Sequence, residues 1–421
     1  MINKDNSKLK NPNSLRISNQ LQVVEYLKRK PQSCLELGKK LNLSNVALKK
    51  ITDELLKENI IYSYIKEDRI KQKGRTPAIF ALNEDVGVFC VMDFSRRDLI
   101  VAIADINDNI LVSDYIYGKL YIDEEALKEA SILIKKLLKN EAVRNRKLLG
   151  ICISTPGELD LQTKNFTYAP RIVNHAKMNF VHYFGDIFHV PVDVCNDVNL
   201  GLQGEYYFGN SIPKDAKNVY YVFLDYVAGS ALMLNGEIFF GTRGHAGEPA
   251  SYKELNEDDN GYYSGRFFTI FDIYKEIHLL AKDYPDDEFY KQEVFNFKDI
   301  VQKYHEGDKV VLKAIEKSAR INAIQFLAAS NLLDLDYVCV EGKMLELGDS
   351  YKNLLCHYFR EFDANSNCAN ITFSTCGKNA NIYGAIQKAS NTYFVKKFVE
   401  LANKRTGLVN NDVEDLFISK I

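Results

Sequence analysis

The stretch "VGVFCVMDFSRRDLIVAIADINDNILVSDYIYG" covers residues 86–118. Three runs rich in β-branched and aromatic side chains ("GVFCVMDF", "DLIVAIADI" and "NILVSDYIYG") are separated by a polar stretch and by the turn residues Asn107-Asp108-Asn109. That pattern predicts three consecutive strands. Further on, "EEALKEASILIKKLLKN" (124–140) spaces its apolar residues for an amphipathic helix, and "KLLGICISTPG" (147–157) reads as a buried strand ending in a Pro-Gly turn. Strands that meander into a helix and then a further strand describe an α/β fold.

Working outward, 421 residues are too many for one simple core, so two or three domains are expected. With 46% hydrophobic and 26% charged residues, the composition is that of an ordinary soluble globular protein. The start, "MINKDNSKLKNPNSLRISNQ", is polar and basic and lacks the apolar segment of a signal peptide. No apolar run approaches the roughly 18 residues a bilayer span needs, so a cytoplasmic protein with no membrane partner is expected. The eight cysteines are scattered with no C-x-x-C pair, which suits a reducing compartment and small core side chains and argues against a structural metal. The net charge of −2 conceals an asymmetry. Residues 1–80 hold 17 Lys and Arg against 8 Asp and Glu, a net of +9, and the remainder holds 37 against 48, a net of −11. A basic head on an acidic body points to a polyanion-binding module joined to something else.

In that head, "LRISNQLQVVEYLKRK" (15–30) places Leu21, Val24, Tyr26 and Leu27 as for an amphipathic helix. "SCLELGKKLNLSNVALKKITDELLKENIIYSYI" (33–65) then reads as helix, tight turn, helix. Ser33 and Glu36 form a capping-box pattern, Leu35, Leu37 and Leu41 supply an apolar side, and Ser44 caps the next helix. Leu48, Ile51 and Leu55 line one face of that second helix, leaving Asn45, Ala47, Lys49 and Lys50 outward, a surface suited to a major groove. Two strand-like runs around the basic tip "KQKGRTP" complete a winged helix, with Lys73 and Arg75 placed to reach phosphates or a minor groove. The candidate DNA-binding residues are thus Ser44, Asn45, Ala47, Lys49, Lys50, Lys73 and Arg75.

Several segments of the body carry a resemblance: "STPGELD" (154–160), "VPVDVCNDVNLGLQGEYYFG" (190–209), "LNGEIFFGTRGHAGEPAS" (234–251), "LLDLDYVCVEGKM" (332–344) and "NIYGAI" (381–386). In this order they resemble the ROK family of sugar kinases and sugar-responsive repressors. The winged helix makes the chain similar to the transcriptional-repressor branch, which contains N-acetylglucosamine and xylose repressors. The resemblance implies an N-terminal winged helix-turn-helix followed by a two-lobed, actin-like ATPase (ribonuclease H-like) α/β fold. The implied domains are a DNA-binding head over 1–83, a first lobe over 84–200 with a helix over 381–400 packing back, a second lobe with the dimer contact over 201–380, and an extension over 401–421.

By that resemblance Asp197 is the vestige of the kinases' general base, and Gly157, Asn196, Asp197, His245 and Glu248 are the candidate ligand-binding residues, suited to hydroxyls that both donate and accept. The phosphate machinery departs from the family. Its first loop, D-x-G-G-T-K, is here Asp93-Phe94-Ser95-Arg96-Arg97-Asp98, and its second, G-T-G-I-G, is Asp225-Tyr226-Val227-Ala228-Gly229. Main-chain N–H groups approach phosphates closely only where glycines leave room. The family's zinc-binding histidine is replaced by Ser251, and "YKELNEDDNGYYSG" (252–265) stands where its cysteine loop would be, so no metal and no cofactor is expected. The resulting expectation is a non-catalytic, sugar-responsive DNA-binding regulator, a repressor that binds a palindromic operator as a homodimer or tetramer. The alternatives are an ATP-dependent sugar kinase with a DNA-binding head, and a regulator with no small-molecule ligand.

Overall fold

In the computed structural model the described residues are 12–65, 78–160, 162–247, 267–284, 287–364 and 369–406. They form two compact units. One contains the residues up to Asp197 together with those from Ala385 onward, and the other is Val198–Gly384.

The first unit opens with α1 (Pro12–Arg29), the short strand β1 (Gln32–Ser33), α2 (Cys34–Leu41), α3 (Asn45–Lys57), β2 (Ile61–Tyr64) and β3 (Ile79–Leu82). The three strands form one sheet in the order β1-β3-β2, with β2 and β3 antiparallel, and this is the expected winged-helix arrangement. The tip of the wing, with Lys73 and Arg75, lies outside the described residues.

The rest of this unit follows the opening stretch of sequence. Strands β4 (Val88–Asp93), β5 (Leu99–Asp105) and β6 (Ile110–Ile116) form an antiparallel meander, and α4 (Glu124–Leu137) crosses to β7 (Leu148–Thr155). A small ribbon of β8 (Glu158–Leu159) and β9 (Phe166–Tyr168) precedes α5 (Phe180–Phe188) and β10 (Val192–Asn196). The sheet order is β10-β7-β4-β5-β6, with β4, β7 and β10 parallel. Strands β4 and β5 are buried along their whole length, which is why they read as unbroken apolar runs; edge strand β6 shows mixed exposure. The Asn107–Asn109 turn is held by Asp105, whose Oδ1 accepts from the main-chain N–H groups of Asn107 and Asn109 at 2.9 Å each. In α4, Asp123 caps the first turn while Leu127, Ala130, Ile134 and Leu137 enter the core.

The second unit repeats the sheet plan. Helix α6 (Asp197–Phe208) leads into β11 (Val219–Leu224), β12 (Ala228–Leu234) and β13 (Glu237–Ile238), followed by α7 (Ile270–Leu280), α8 (Phe297–Glu306), α9 (Lys309–Leu333), β14 (Tyr337–Glu341), α10 (Asp349–Glu361) and β15 (Asn370–Phe373). The order β13-β12-β11-β14-β15 matches that of the first unit strand for strand: a meander, then two parallel strands. Two sheets of one design are the two-lobed plan that the sequence implied. Phe268, Phe297, Phe326, Tyr351 and Phe359 fill the core under the helices, each contributing roughly 1.5–3 kcal/mol by leaving water.

The last helix, α11 (Ala380–Thr406), passes the expected end at residue 400. "ELANKRT" (400–406) contains no glycine or proline to stop a helix, and the first glycine is residue 407. Where α11 starts, it meets α6 at backbone contact. A Cβ on Gly204 would lie 1.9 Å from the Ala380 carbonyl oxygen, and one on Gly384 would lie 1.9 Å from that of Leu200. The glycines of "GLQGE" and "NIYGAI" are therefore required by a helix crossing.

Candidate ligand site and nucleic-acid interface

The head is built from its caps upward. Ser33 and Glu36 form the capping box that starts α2, with the Ser33 N–H donating to Glu36 Oε2 at 2.7 Å. Asn42 takes a left-handed conformation to turn the chain, and Ser44 Oγ accepts from the Ala47 N–H at 3.2 Å to start α3. Helix α3 buries Leu48, Ile51, Thr52 and Leu55, and Glu54 ties it to α1 by accepting from Arg16 Nε at 2.9 Å and Gln20 Nε2 at 2.7 Å.

Of the expected DNA-facing residues, Asn45, Lys49 and Lys50 are exposed, Ala47 is half-buried, and Ser44 is engaged as a cap. Their neighbours differ from expectation in two places. Leu35, expected on the apolar side of α2, is 59% exposed. It stands two residues from the buried Leu37, about 200° away around the helix. Lys40 donates to Gln32 Oε1 at 2.6 Å and lies over the Tyr26 ring, so it braces the head. Val46, not among the residues expected to face DNA, is 82% exposed. Its signal in the sequence is an apolar residue that does not fall on the Leu48, Ile51 and Leu55 face.

In the body, the carboxyl ends of three adjacent parallel strands gather the candidate residues. Asp93 ends β4, Thr155 ends β7 with Gly157 just beyond, and Asn196 ends β10 with Asp197 opening α6. Register pairs Asp93 with Ser154 and Asn196 with Thr155. This edge is where open α/β sheets bind ligands. Gly157 has φ +106°, and a Cβ there would lie 2.6 Å from the Tyr168 carbonyl oxygen. Asn196 Nδ2 donates to the Gly157 carbonyl at 3.2 Å, so part of its hydrogen-bonding capacity holds the Pro-Gly turn. Asn196 and Asp197 are half-buried. Asp93 is fully buried, its Oδ1 accepting from Ser154 Oγ at 2.8 Å and from the Ser95 N–H at 3.0 Å.

The loop after β4 is held by a residue that no sequence motif marks. Arg171 Nε donates to the Leu120 carbonyl at 3.0 Å, Nη1 donates to the carbonyls of Phe94 (3.4 Å) and Ser95, and Nη2 donates to those of Arg96 and Lys119 at 3.0 Å each. A guanidinium has five N–H donors, and here all five meet main-chain oxygens. Burial pulls its pKa below the ordinary arginine value, against the attraction of Asp197 and Asp93. Asp98 completes the closure by accepting from the Gly118 N–H at 3.0 Å.

In the second unit, the 225–229 segment is the β11–β12 turn. The Asp225 N–H donates to the Val227 carbonyl at 3.0 Å, Tyr226 packs on Phe271, and Lys343 lies over the Tyr226 ring. Its surviving glycine, Gly229, faces Val198, whose Cγ2 would be 2.8 Å from an added Cβ. His245 is half-buried in the turn after β13, while Glu248, Ser251 and residues 252–265 lie outside the described residues. Among the described residues no group of three or more His, Cys, Asp or Glu is arranged to hold a metal ion, and no helix is long and apolar enough to cross a membrane.

Glu205, not among the candidate site residues, is fully buried. It accepts from Ser211 Oγ at 2.6 Å, Ser374 Oγ at 2.7 Å, Thr375 Oγ1 at 2.8 Å and the Cys376 N–H at 2.9 Å. Burial alone would raise its pKa, but these donors outweigh burial and bring the carboxyl down to about 2. It fastens α6 to the turn that precedes α11.

Comparison with known proteins agrees with this geometry. Residues 91–254 match the model of the ROK family. A xylose repressor of Caldicellulosiruptor bescii is 24% identical over 345 residues, covering 79% of this chain and 85% of its own. The DNA-binding transcriptional dual regulator NagC of Escherichia coli is 22% identical, covering 75% of this chain and 78% of its own. Among solved structures, a ROK family transcriptional regulator, a homolog of the E. coli MLC protein, superposes with a TM-score of 0.73 at 19% identity, covering 92% of this chain and 100% of its own. A ROK family glucokinase from Streptomyces griseus gives 0.59 at 17% identity, covering 72% of this chain and 98% of its own. The fold is that of ROK regulators and kinases alike, and residues 91–254 are similar to the ROK family.

Proposed function

We propose that this chain is a sugar-responsive, DNA-binding transcriptional repressor whose body keeps the ROK frame without phosphoryl transfer. The observation that carries the reading is Arg171: three of its five N–H groups donate to the Phe94, Ser95 and Arg96 carbonyls of the loop that would have to cradle phosphates, and the other two tie that loop to the Lys119 and Leu120 carbonyls. Phosphoryl transfer depends on positioned N–H groups and neutralised phosphate charge. Here the two glycines are replaced by Ser95 and Arg96, and Asp98 and Asp225 would each set a carboxylate beside phosphate, costing about 1 kcal/mol or more. The names of the relatives, xylose repressor and dual regulator NagC, support the same conclusion.

In this reading residues 1–83 grip operator DNA in the cytoplasm through Asn45, Lys49 and Lys50, with Ser44 and Ala47 setting the helix entry and Lys73 and Arg75 on the wing. Gly157, Asn196, Asp197, His245 and Glu248 receive a sugar or sugar derivative, and no metal takes part. The lobes over 84–200 and 201–380 form the sensor, with α11 and the extension behind them. Two copies pair on a palindromic operator, and the ligand alters the spacing of their recognition helices.

The test joins two assays on the full chain. Fluorescence anisotropy with a duplex selected from a random pool measures DNA affinity alone and with xylose, N-acetylglucosamine and other sugars. ATP-dependent phosphorylation of the same sugars is measured in parallel. The expected result is a sugar-dependent change in affinity that Asp197→Asn weakens, with no phosphate transfer. Phosphorylation that Asp197→Asn abolishes would establish the kinase instead.

A further inference from the structure

Helix α3 presents an unusual neighbourhood for an apolar side chain. Val46 is 82% exposed in the first turn of the helix, and Lys49 and Lys50 lie three and four residues later, on the same face. Asn45 precedes it and is also exposed. The opposite face is committed to the core through Leu48, Ile51 and Leu55, so Val46 cannot be recruited inward. The fold has no use for it: its removal would uncover no neighbour. Around it Lys49, Lys50 and Lys57 outnumber Asp53 and Glu54, the latter paired with Arg16, and residues 1–80 carry +9, which matches a polyanion.

A helix-turn-helix sets the first residues of its second helix against base edges, while lysines further along hold phosphates. Valine has neither donor nor acceptor, so it reads no hydrogen-bonding pattern. The major groove offers one apolar feature, the C5 methyl group of thymine. We propose that Val46 is a specificity-determining residue that recognises a thymine methyl in each operator half-site. This rests on the DNA-binding reading above and adds a base to it. Ser44 does not compete for that edge, because its hydroxyl already caps the helix.

The experiment uses the full chain and a duplex enriched from a random-sequence pool. Each thymine is replaced in turn by deoxyuridine, which keeps every hydrogen-bonding group and lacks only the methyl. At one thymine per half-site the replacement should weaken wild-type binding about fourfold, the worth of one buried methyl group. Val46→Ser should bind the thymine and deoxyuridine duplexes equally at that position, and still respond to changes elsewhere. Val46→Thr, which keeps one methyl, should fall between. Because the side chain is exposed, the variants should melt with the wild type. If wild type and Val46→Ser respond alike to every replacement, the assignment to Val46 is wrong while DNA binding stands. If the chain enriches no duplex at all, the DNA-binding reading itself fails and takes this assignment with it.

Discussion

Replacing Arg171 by Met keeps most of the side-chain stem and removes the five donors. Hydrogen bonds from a charged donor to buried acceptors contribute more than neutral ones, and a net of about 1 kcal/mol each would sum to about 5 kcal/mol. The residue is half-buried, so water recovers some of the carbonyls, and a loss of about 2–4 kcal/mol is the expected result. The loss should be local before it is global. The Ser95, Gly118 and Lys119 N–H groups donate to Asp93 Oδ1, Asp98 Oδ1 and the Arg97 carbonyl within the tethered segments, and their exchange with solvent should accelerate. Arg171→Lys retains the charge without the planar fork and should recover only a minor part. Urea unfolding gives the energy, and amide exchange locates it. If Arg171→Met unfolds within about 0.5 kcal/mol of the wild type with unchanged exchange at those three amides, Arg171 does not hold the loop and the case against a phosphate cradle weakens with it.

Three further outcomes follow from the geometry. Glu205, with its carboxyl near 2 when folded against an unfolded value of 4.5, contributes stability that is fully present above pH 4.5 and lost as pH falls toward 2; the full shift corresponds to about 3 kcal/mol, and Glu205→Gln should flatten acid unfolding across that window. Replacing Lys49 or Lys50 by Ala should lower the slope of log affinity against log salt by about 1 for each phosphate left without its lysine, measured by anisotropy at several salt concentrations. Lys28→Met removes the partner of Asp108, 3.5 Å away, but burial already raises the Asp108 pKa, so the carboxyl can take up a proton and the loss should stay near 1–3 kcal/mol; Lys28→Met with Asp108→Asn should recover part of it in urea unfolding.

How far the sequence can be read depends on whether a feature is local. Strands β4 and β5 announce themselves because both of their faces are buried, and the caps Ser33 and Ser44 because their partners lie within three residues. Asp93, Gly157 and Asn196 are legible through motifs, but the bond from Asn196 to the Pro-Gly turn is not, because it joins residues 39 apart. Arg171 is invisible for the same reason. Its acceptors come from residues 94–96 and 119–120, and nothing in "APRIVNH" (169–175) marks an arginine with that task. Leu35 and Val46 are hard to place because leucine and valine suggest a core until the helix phase is fixed by the residues that do go inside.

The first unit also shows how the N-terminal helical head is fastened to the sheet that follows it. Lys28, near the end of α1, is 7% exposed at its side chain, paired with Asp108 in the β5–β6 turn, and donates to Ser390 Oγ on α11. Two residues earlier on α11, Lys388 reaches Asp193 of β10 at 3.7 Å, and Lys164 meets the same carboxylate at 3.4 Å. Tyr393, one turn along α11 from Ser390, donates to the Ile151 carbonyl of β7 at 2.7 Å. Strands β7 and β10 are the two whose carboxyl ends present Gly157, Asn196 and Asp197. Helix α11 therefore grips β7 and β10 through Lys388 and Tyr393 and the head through Ser390, all within about one and a half turns. A buried ion pair is a poor source of stability, but separating its partners leaves a buried charge that must be neutralised or exposed. If the ligand ends of β7 and β10 shift, α11 must either carry Lys28 with it or break that pair. In the proposed repressor, a body that keeps its strands and their candidate ligand edge needs no turnover to move a head fastened to the same helix.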